Sequence, residues 1–200
     1  MAGTVMNILR VLPIAASLLL AACQGSATPA EAPLAGAKIG GPFTLTDQDG
    51  RTVTDRDFAG KYRIVYFGYT FCPDVCPTDM ATVGQAMTLL DKSDPDLARR
   101  IVPIFITVDP ARDTPPVLKR FVGAFYPRMV GLTGSRAATT AVAKAFAIYA
   151  GKGAEQPGGG YLVNHSRQTY LMDPQGKPLA LLPTEQGAQA TADEIRRWAS

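Results

Sequence analysis

Metal donors are scarce in this chain. Its 200 residues include one histidine, His165, along with three cysteines and one tryptophan. A single imidazole excludes a blue-copper centre, which takes two histidines and a cysteine. It also leaves a four-coordinate structural zinc site one donor short unless a carboxylate joins. Blocks of lysine or arginine are lacking and the formal net charge is only +3, so there is no electrostatic footprint for nucleic acid. Internal repeats and methionine-rich tracts are missing too. The apolar run near the N-terminus, Val11 to Ala22, is shorter than the ~20 residues of a bilayer span. The length that remains suits one domain with a sizeable core.

The N-terminus reads as an export signal. Arg10 is the single charge in residues 1–22, and the run after it has the length of a signal-peptide apolar region. Leu20-Ala21-Ala22-Cys23 resembles the bacterial lipoprotein signal, and on that resemblance Cys23 is the acylated first residue of the mature protein. Gln24 to Lys38, rich in Ala, Gly, Pro and Ser, has no periodicity, which predicts a flexible lipidated tether over residues 23–40. The alternative is an uncleaved anchor helix starting near Val5, with Arg10 and Pro13 inside the span. Either reading holds the domain, residues 41–200, at a membrane outside the cytoplasm; lipidation puts it on the periplasmic side of a bacterial cell envelope.

Within that domain Phe43-Thr44-Leu45-Thr46 alternates, and Asp49-Gly50 gives a turn before Thr52-Val53-Thr54, which predicts an N-terminal β-hairpin. Arg63 to Tyr69 is β-branched and aromatic with little alternation, as in a central strand covered on both faces. Ala81, Val83, Met87 and Leu90 keep a helical spacing over Thr78 to Leu90, which assigns Met80 and Met87 to the core. Ile101 to Val108 is a second buried strand, with Pro103 predicting an early bulge or a strand start. Asp113-Thr114-Pro115-Pro116 reads as the cap and first turn of a helix to Phe125, and Ser135 as the cap of another, Arg136 to Tyr149. Gly151 to Gly160 predicts a mobile loop. Tyr161 to His165, Thr169 to Met172 and Pro178 to Leu182 read as strands, and Thr191 to Trp198 as a closing helix. Together these predict a mixed α/β sheet with helices on both faces.

Cys72-Pro73-Asp74-Val75-Cys76-Pro77 occupies a strand-to-helix junction. Two thiols at this spacing can chelate a soft metal or exchange electrons. A structural disulfide suits an exported protein, but a ring this short is worth only about 2 kcal/mol in the loop-entropy model. The flanking prolines shape an accessible loop, and the field of a helix N-terminus is expected to lower the thiol pKa there. Thioredoxin-type redox sites have Cys-x-x-Cys; the wider spacing here leaves room for an ion between the sulfurs. Two thiolates suit copper(I), and an imidazole as third donor helps accommodate copper(II), so the donor inventory favours copper. A cysteine hydrolase built on a Cys–His pair is disfavoured, because a second thiol beside the nucleophile invites disulfide formation outside the cytoplasm. A thiol–disulfide oxidoreductase remains open.

Three segments, in order, resemble the Sco/SenC family of copper-binding proteins for cytochrome c oxidase assembly. They are Tyr66-Phe67-Gly68-Tyr69-Thr70-Phe71-Cys72-Pro73-Asp74-Val75-Cys76-Pro77, then Thr107-Val108-Asp109-Pro110-Ala111-Arg112-Asp113-Thr114, then Val163-Asn164-His165-Ser166 with Tyr170-Leu171-Met172-Asp173-Pro174. The resemblance implies a thioredoxin-like fold and copper, as Cu+ or Cu2+, held by Cys72, Cys76 and His165. It implies a part in building the binuclear copper centre of cytochrome c oxidase subunit II, or of another copper acceptor. That part is delivery of copper or, through Cys72 and Cys76, reduction of the acceptor's cysteines; copper sensing is a third use of the same ligands. Asn164 stands where the family commonly shows Asp. Asp109, at a strand end, is expected behind the ligands or at a docking surface. Tyr69 and Phe71 are expected to shield the metal, meet a partner or pack in the core.

Overall fold

Two seven-residue strands whose side chains alternate between two cores organise the chain. In the computed structural model, residues 1, 3, 31–156 and 159–199 are described. Cys23, most of the expected signal peptide and residues 24–30 of the tether lie outside them. The elements are β1 (Thr44–Asp47), β2 (Thr52–Thr54), β3 (Tyr62–Gly68), α1 (Val75–Ser93), α2 (Pro95–Arg99), β4 (Ile101–Thr107), α3 (Pro115–Gly123), β5 (Val130–Thr133), α4 (Arg136–Ala145), β6 (Ala150–Glu155), β7 (Tyr161–His165), β8 (Thr169–Met172), β9 (Pro178–Leu181) and α5 (Ala188–Trp198). Among the described residues no helix is long and apolar enough to cross a membrane.

β3 is buried at all seven positions and runs parallel to β4. Ile64 and Tyr66 join Ile101 and Phe105 in one core, roofed by Met80, Val83, Met87 and Leu90 of α1, Leu118 and Val122 of α3, and Ile195 of α5. Val65 and Phe67 join Ile104 and Ile106 in the other, closed by Val142 and Ala143 of α4 with Phe146. Strands buried on both faces read as continuous apolar runs, which is why alternation was weak in the sequence. The seven-stranded sheet has the order β2-β1-β5-β4-β3-β8-β9; β3, β4 and β5 are parallel and the outer pairings antiparallel. This is the expected mixed α/β architecture with its N-terminal hairpin.

Four local expectations change. Pro103 makes no bulge: it stands opposite Ile64 in an uninterrupted ladder with β3, and β5 pairs with β4 only from Ile104 onward. At Pro103 one side of β4 therefore has no strand to miss the absent N–H. α4 stops at Ala145 rather than Tyr149, because Ala147 turns left-handed at φ 54°, while the Ile148 N–H returns to Ala143 O and the Ala147 N–H to Lys144 O. That pattern terminates a helix. The first part of the expected loop, up to Glu155, is instead a strand, β6 (Ala150–Glu155), laddered to β7 through Ala150–His165, Gly151–Asn164 and Lys152–Val163. The expected tether also ends short of residue 40: the Leu34 N–H bonds Leu179 O at 2.9 Å, Gly40 N–H bonds Ala145 O at 2.9 Å, and Leu34 and Ile39 pack on the second core.

Candidate metal centre

β3 delivers the chain to the cysteines. Beyond Gly68 the Cys72 N–H closes a turn onto Tyr69 O at 3.2 Å, and α1 opens with Cys76 in its first turn. Cys76 is fully buried and Cys72 half-buried, and both thiols are free. Gly68 is required by the sulfur: a Cβ there would meet Cys76 Sγ at 2.9 Å, Tyr66 Cε1 at 2.8 Å and Phe105 Cε2 at 3.0 Å.

His165, at the end of β7, brings its ring over this pair. Its Nε2 lies 3.2 Å from Cys76 Sγ, and its Nδ1 lies 2.8 Å from Ser166 O. A carbonyl oxygen only accepts, so Nδ1 carries the proton and Nε2 presents a lone pair to the sulfurs. One donor atom each from Cys72, Cys76 and His165 lies within 4.8 Å of the others. Tyr69 and Tyr66 set their rings edge-on to the imidazole at 5.9 and 6.3 Å.

Burial governs the protonation of this cluster. It pushes the Cys76 thiol well up, and the neighbouring Cys72 adds to the shift. The thiol is therefore raised, not lowered as expected at a helix N-terminus, since desolvation outweighs the hydrogen bonds from Tyr69 and Tyr66 that favour the thiolate. Burial also holds His165 below its ordinary value, keeping the ring neutral at pH 7. A neutral imidazole beside buried sulfurs can accept a soft cation whose charge offsets the loss of thiol protons.

The remaining sequence candidates divide. Asp109 is buried and is not one of the clustered donors: it accepts from Tyr161 Oη at 2.8 Å and pairs with Arg112. It thereby fixes the arm that carries His165. Tyr69 packs in the core, whereas Phe71 is 53% exposed beside the site, under the Arg112 guanidinium. Met80 and Met87 are core residues, as expected. Asp113 is not a helix cap; Thr114 holds that position. The fully buried Asp113 carboxylate accepts from Thr70 N–H at 3.1 Å, Thr70 Oγ1 at 2.7 Å and Thr107 Oγ1 at 2.6 Å, tying the cysteine segment to the end of β4.

Asp79, Arg167 and Gly68 escaped sequence reasoning. Asp79 had a usable signal: it falls on the apolar face of α1 beside Cys76, Met80 and Val83, where a carboxylate needs a partner. Arg167 and Gly68 had none, because their roles depend on contacts across the fold.

The sequence model of the SCO1/SenC family matches residues 31–200. Protein SenC of Rhodobacter capsulatus is 45% identical over 162 residues, 80% of this chain and 71% of that protein. The sco1 protein of Schizosaccharomyces pombe is 38% identical over 162 residues, 80% of this chain and 59% of its own length, so this chain spans only part of these relatives. Among solved structures, Arabidopsis thaliana ScoI with copper bound superposes with a TM-score of 0.73 at 36% identity, over 78% of this chain and 95% of that one. The thioredoxin domain of a thiol-disulfide oxidoreductase from Bacteroides vulgatus, 17% identical with a TM-score of 0.57 over 81% of this chain and 96% of that one, shares the fold alone. The fold is thioredoxin-like, and the chain belongs to the SCO1/SenC family.

Proposed function

We propose that this protein carries copper as cargo on Cys72, Cys76 and His165 and supplies it to the binuclear copper centre of cytochrome c oxidase subunit II. The observation that carries this reading is the convergence of two sulfurs and an unprotonated ring nitrogen within 4.8 Å, on segments far apart in sequence. Soft thiolates hold copper(I), and the imidazole completes a third position suited to copper(II). The copper-bound Arabidopsis thaliana and Bradyrhizobium japonicum relatives, at 36% and 37% identity, support the choice of metal. A lipid on Cys23, inferred from Leu20-Ala21-Ala22-Cys23, would hold the domain on the periplasmic side of the membrane and concentrate it near a membrane-bound acceptor. The test is anaerobic copper titration of the reduced protein followed by transfer to an apo acceptor. One ion per chain is expected, with His165→Ala weakening copper(II) binding far more than a distant Ser or Gln substitution. An unchanged copper(II) spectrum and affinity in that variant would sink the three-donor reading.

A second reading draws on the unequal exposure of the two free thiols. Cys72, the less buried of the two, can attack an acceptor disulfide, forming a mixed disulfide and releasing one acceptor thiolate. Cys76 then attacks the Cys72 sulfur and releases the second, leaving the acceptor as a dithiol and a Cys72–Cys76 disulfide, with two electrons transferred. A Cys76→Ser variant should trap the mixed disulfide with an oxidised acceptor. Absence of any adduct would exclude thiol reduction and leave copper delivery standing.

A further inference from the structure

Beneath the donor cluster lies a buried carboxylate that neither reading uses. Asp79 is 0% exposed and stands on α1 three residues after Cys76. Arg167 follows His165 by two residues, on the segment between β7 and β8. Its guanidinium grips Asp79 with both prongs, Nε to Oδ2 at 2.9 Å and Nη2 to Oδ1 at 2.8 Å. Tyr66 Oη, from β3, donates to the same carboxylate at 3.0 Å. The Arg167 side chain is 44% exposed while the Asp79 side chain beneath it is 0% exposed.

Other polar contacts hold the His165 segment elsewhere. Ser166 exchanges hydrogen bonds with Tyr149, and Tyr161 reaches Asp109. Neither anchors it to the helix bearing Cys76. Among the described residues, Arg167–Asp79 is the only ion pair joining α1 to the β7–β8 segment. A two-pronged pair fixes direction as well as distance, which a single hydrogen bond does not.

We propose that Arg167 and Asp79 are positioning residues that hold the His165 imidazole at the sulfurs, and so favour three-donor copper(II) over two-thiolate copper(I). This rests on the copper reading above. The pair touches no metal ligand's donor atom; it acts by locking the segment that carries one. Arg167→Gln should weaken copper(II) binding 10- to 100-fold, the usual range when a group supporting a ligand is removed. Copper(I) affinity should stay within about twofold, since Cys72 keeps its place on the loop after β3 and Cys76 its place on α1.

The experiment compares wild type, His165→Ala, Arg167→Gln, Arg167→Lys and the double variant Asp79→Asn with Arg167→Gln. The double variant removes both charges together and guards against misfolding from an unpaired buried carboxylate. Copper(I) and copper(II) affinities are measured by chelator competition and nitrogen coupling to copper(II) by electron paramagnetic resonance. In the metal-free proteins, hydrogen exchange is followed at the Ser166 amide. The expected result is weakened nitrogen coupling and faster Ser166 exchange in Arg167→Gln and the double variant, with partial rescue by Arg167→Lys. Wild-type copper(II) binding, coupling and exchange in folded Arg167→Gln would overturn the proposal, and so would parallel losses of both copper states in the folded double variant. Failure of wild type itself to bind copper would instead overturn the copper reading, so the two failures are distinguishable.

Discussion

Cys72 and Cys76 follow a strand buried at all seven positions, whereas His165 ends a strand laddered only to β6, which is exposed or half-exposed along its whole length. Cys76 rests on a helix packed into the larger core, and Cys72 on the short loop that joins this helix to the central sheet. The imidazole rests on a two-stranded arm, with Val163 as its one buried apolar residue, and on polar ties such as Tyr161–Asp109 and Arg167–Asp79. Two-stranded ribbons are marginal by themselves. The cysteine side can therefore shift only by disturbing the core, while the histidine side can loosen without unfolding. For a copper carrier this means two donors that persist through any exchange and a third whose place depends on a few hydrogen bonds.

The largest expected effect tests the rigid side. Asp113→Ala leaves Thr70 N–H and two threonine hydroxyls without their acceptor, and should cost about 3 kcal/mol of stability in urea denaturation. Because it frees the cysteine segment, copper(I) and copper(II) affinities should fall together. Burial raises the Asp113 pKa above its ordinary 3.8, partly countered by its threonine hydrogen bonds. The folded state therefore prefers the protonated acid. Its contribution is fully present below 3.8 and is lost as pH rises through the raised folded value. Wild type should accordingly lose stability relative to Asp113→Asn across that interval; a relative gain would show that the threonine bonds outweigh burial.

A smaller effect should follow from Gly68→Ala. The added methyl would enter the contact distances of Cys76 Sγ, Tyr66 and Phe105. Overpacking of this kind costs about 2 kcal/mol. The displaced sulfur should alter the copper(II) absorption spectrum even where the protein stays folded. A stable variant with a wild-type spectrum would mean that the cysteine side yields more than its burial suggests.

The same contrast decides what could be read in advance. β3 and β4 were legible because strands buried on both faces leave unbroken apolar runs, and α1 because Val83, Met87 and Leu90 repeat with helical spacing. Cys72, Cys76 and His165 were legible as chemistry because no other thiol pair or imidazole competes for the role. β6 was not: its Gly151 and Gly153 carry no side chain to signal a strand, and its order comes from backbone pairing with β7. Asp113 was misjudged because Asp-Thr-Pro satisfies a helix-start pattern locally, while its actual partners, Thr70 and Thr107, lie on other elements. Local patterns report what a residue can do nearby; the ties between loops appear only once the chain is folded.

The smallest effect bears on the arm alone. Tyr161→Phe deletes one hydroxyl, and with it the 2.8 Å bond to Asp109, while leaving the ring stacked beneath the Arg112 guanidinium 3.8 Å away. The loss should be about 1 kcal/mol, since Asp109 keeps its pairing with Arg112 and the Tyr161 ring keeps its packing. If the arm is the yielding part of the centre, even this change should speed amide exchange in β7, weaken copper(II) binding a few-fold and leave copper(I) untouched, with global stability nearly unchanged. Hydrogen exchange and paired copper competitions on the same preparation separate these outcomes. Equal loss of both copper states would join the arm mechanically to the cysteine segment, through Arg112, which lies over Tyr161, Tyr69 and Phe71 at once. In that case the two supports would act as one body, and the third donor would be as fixed as the other two.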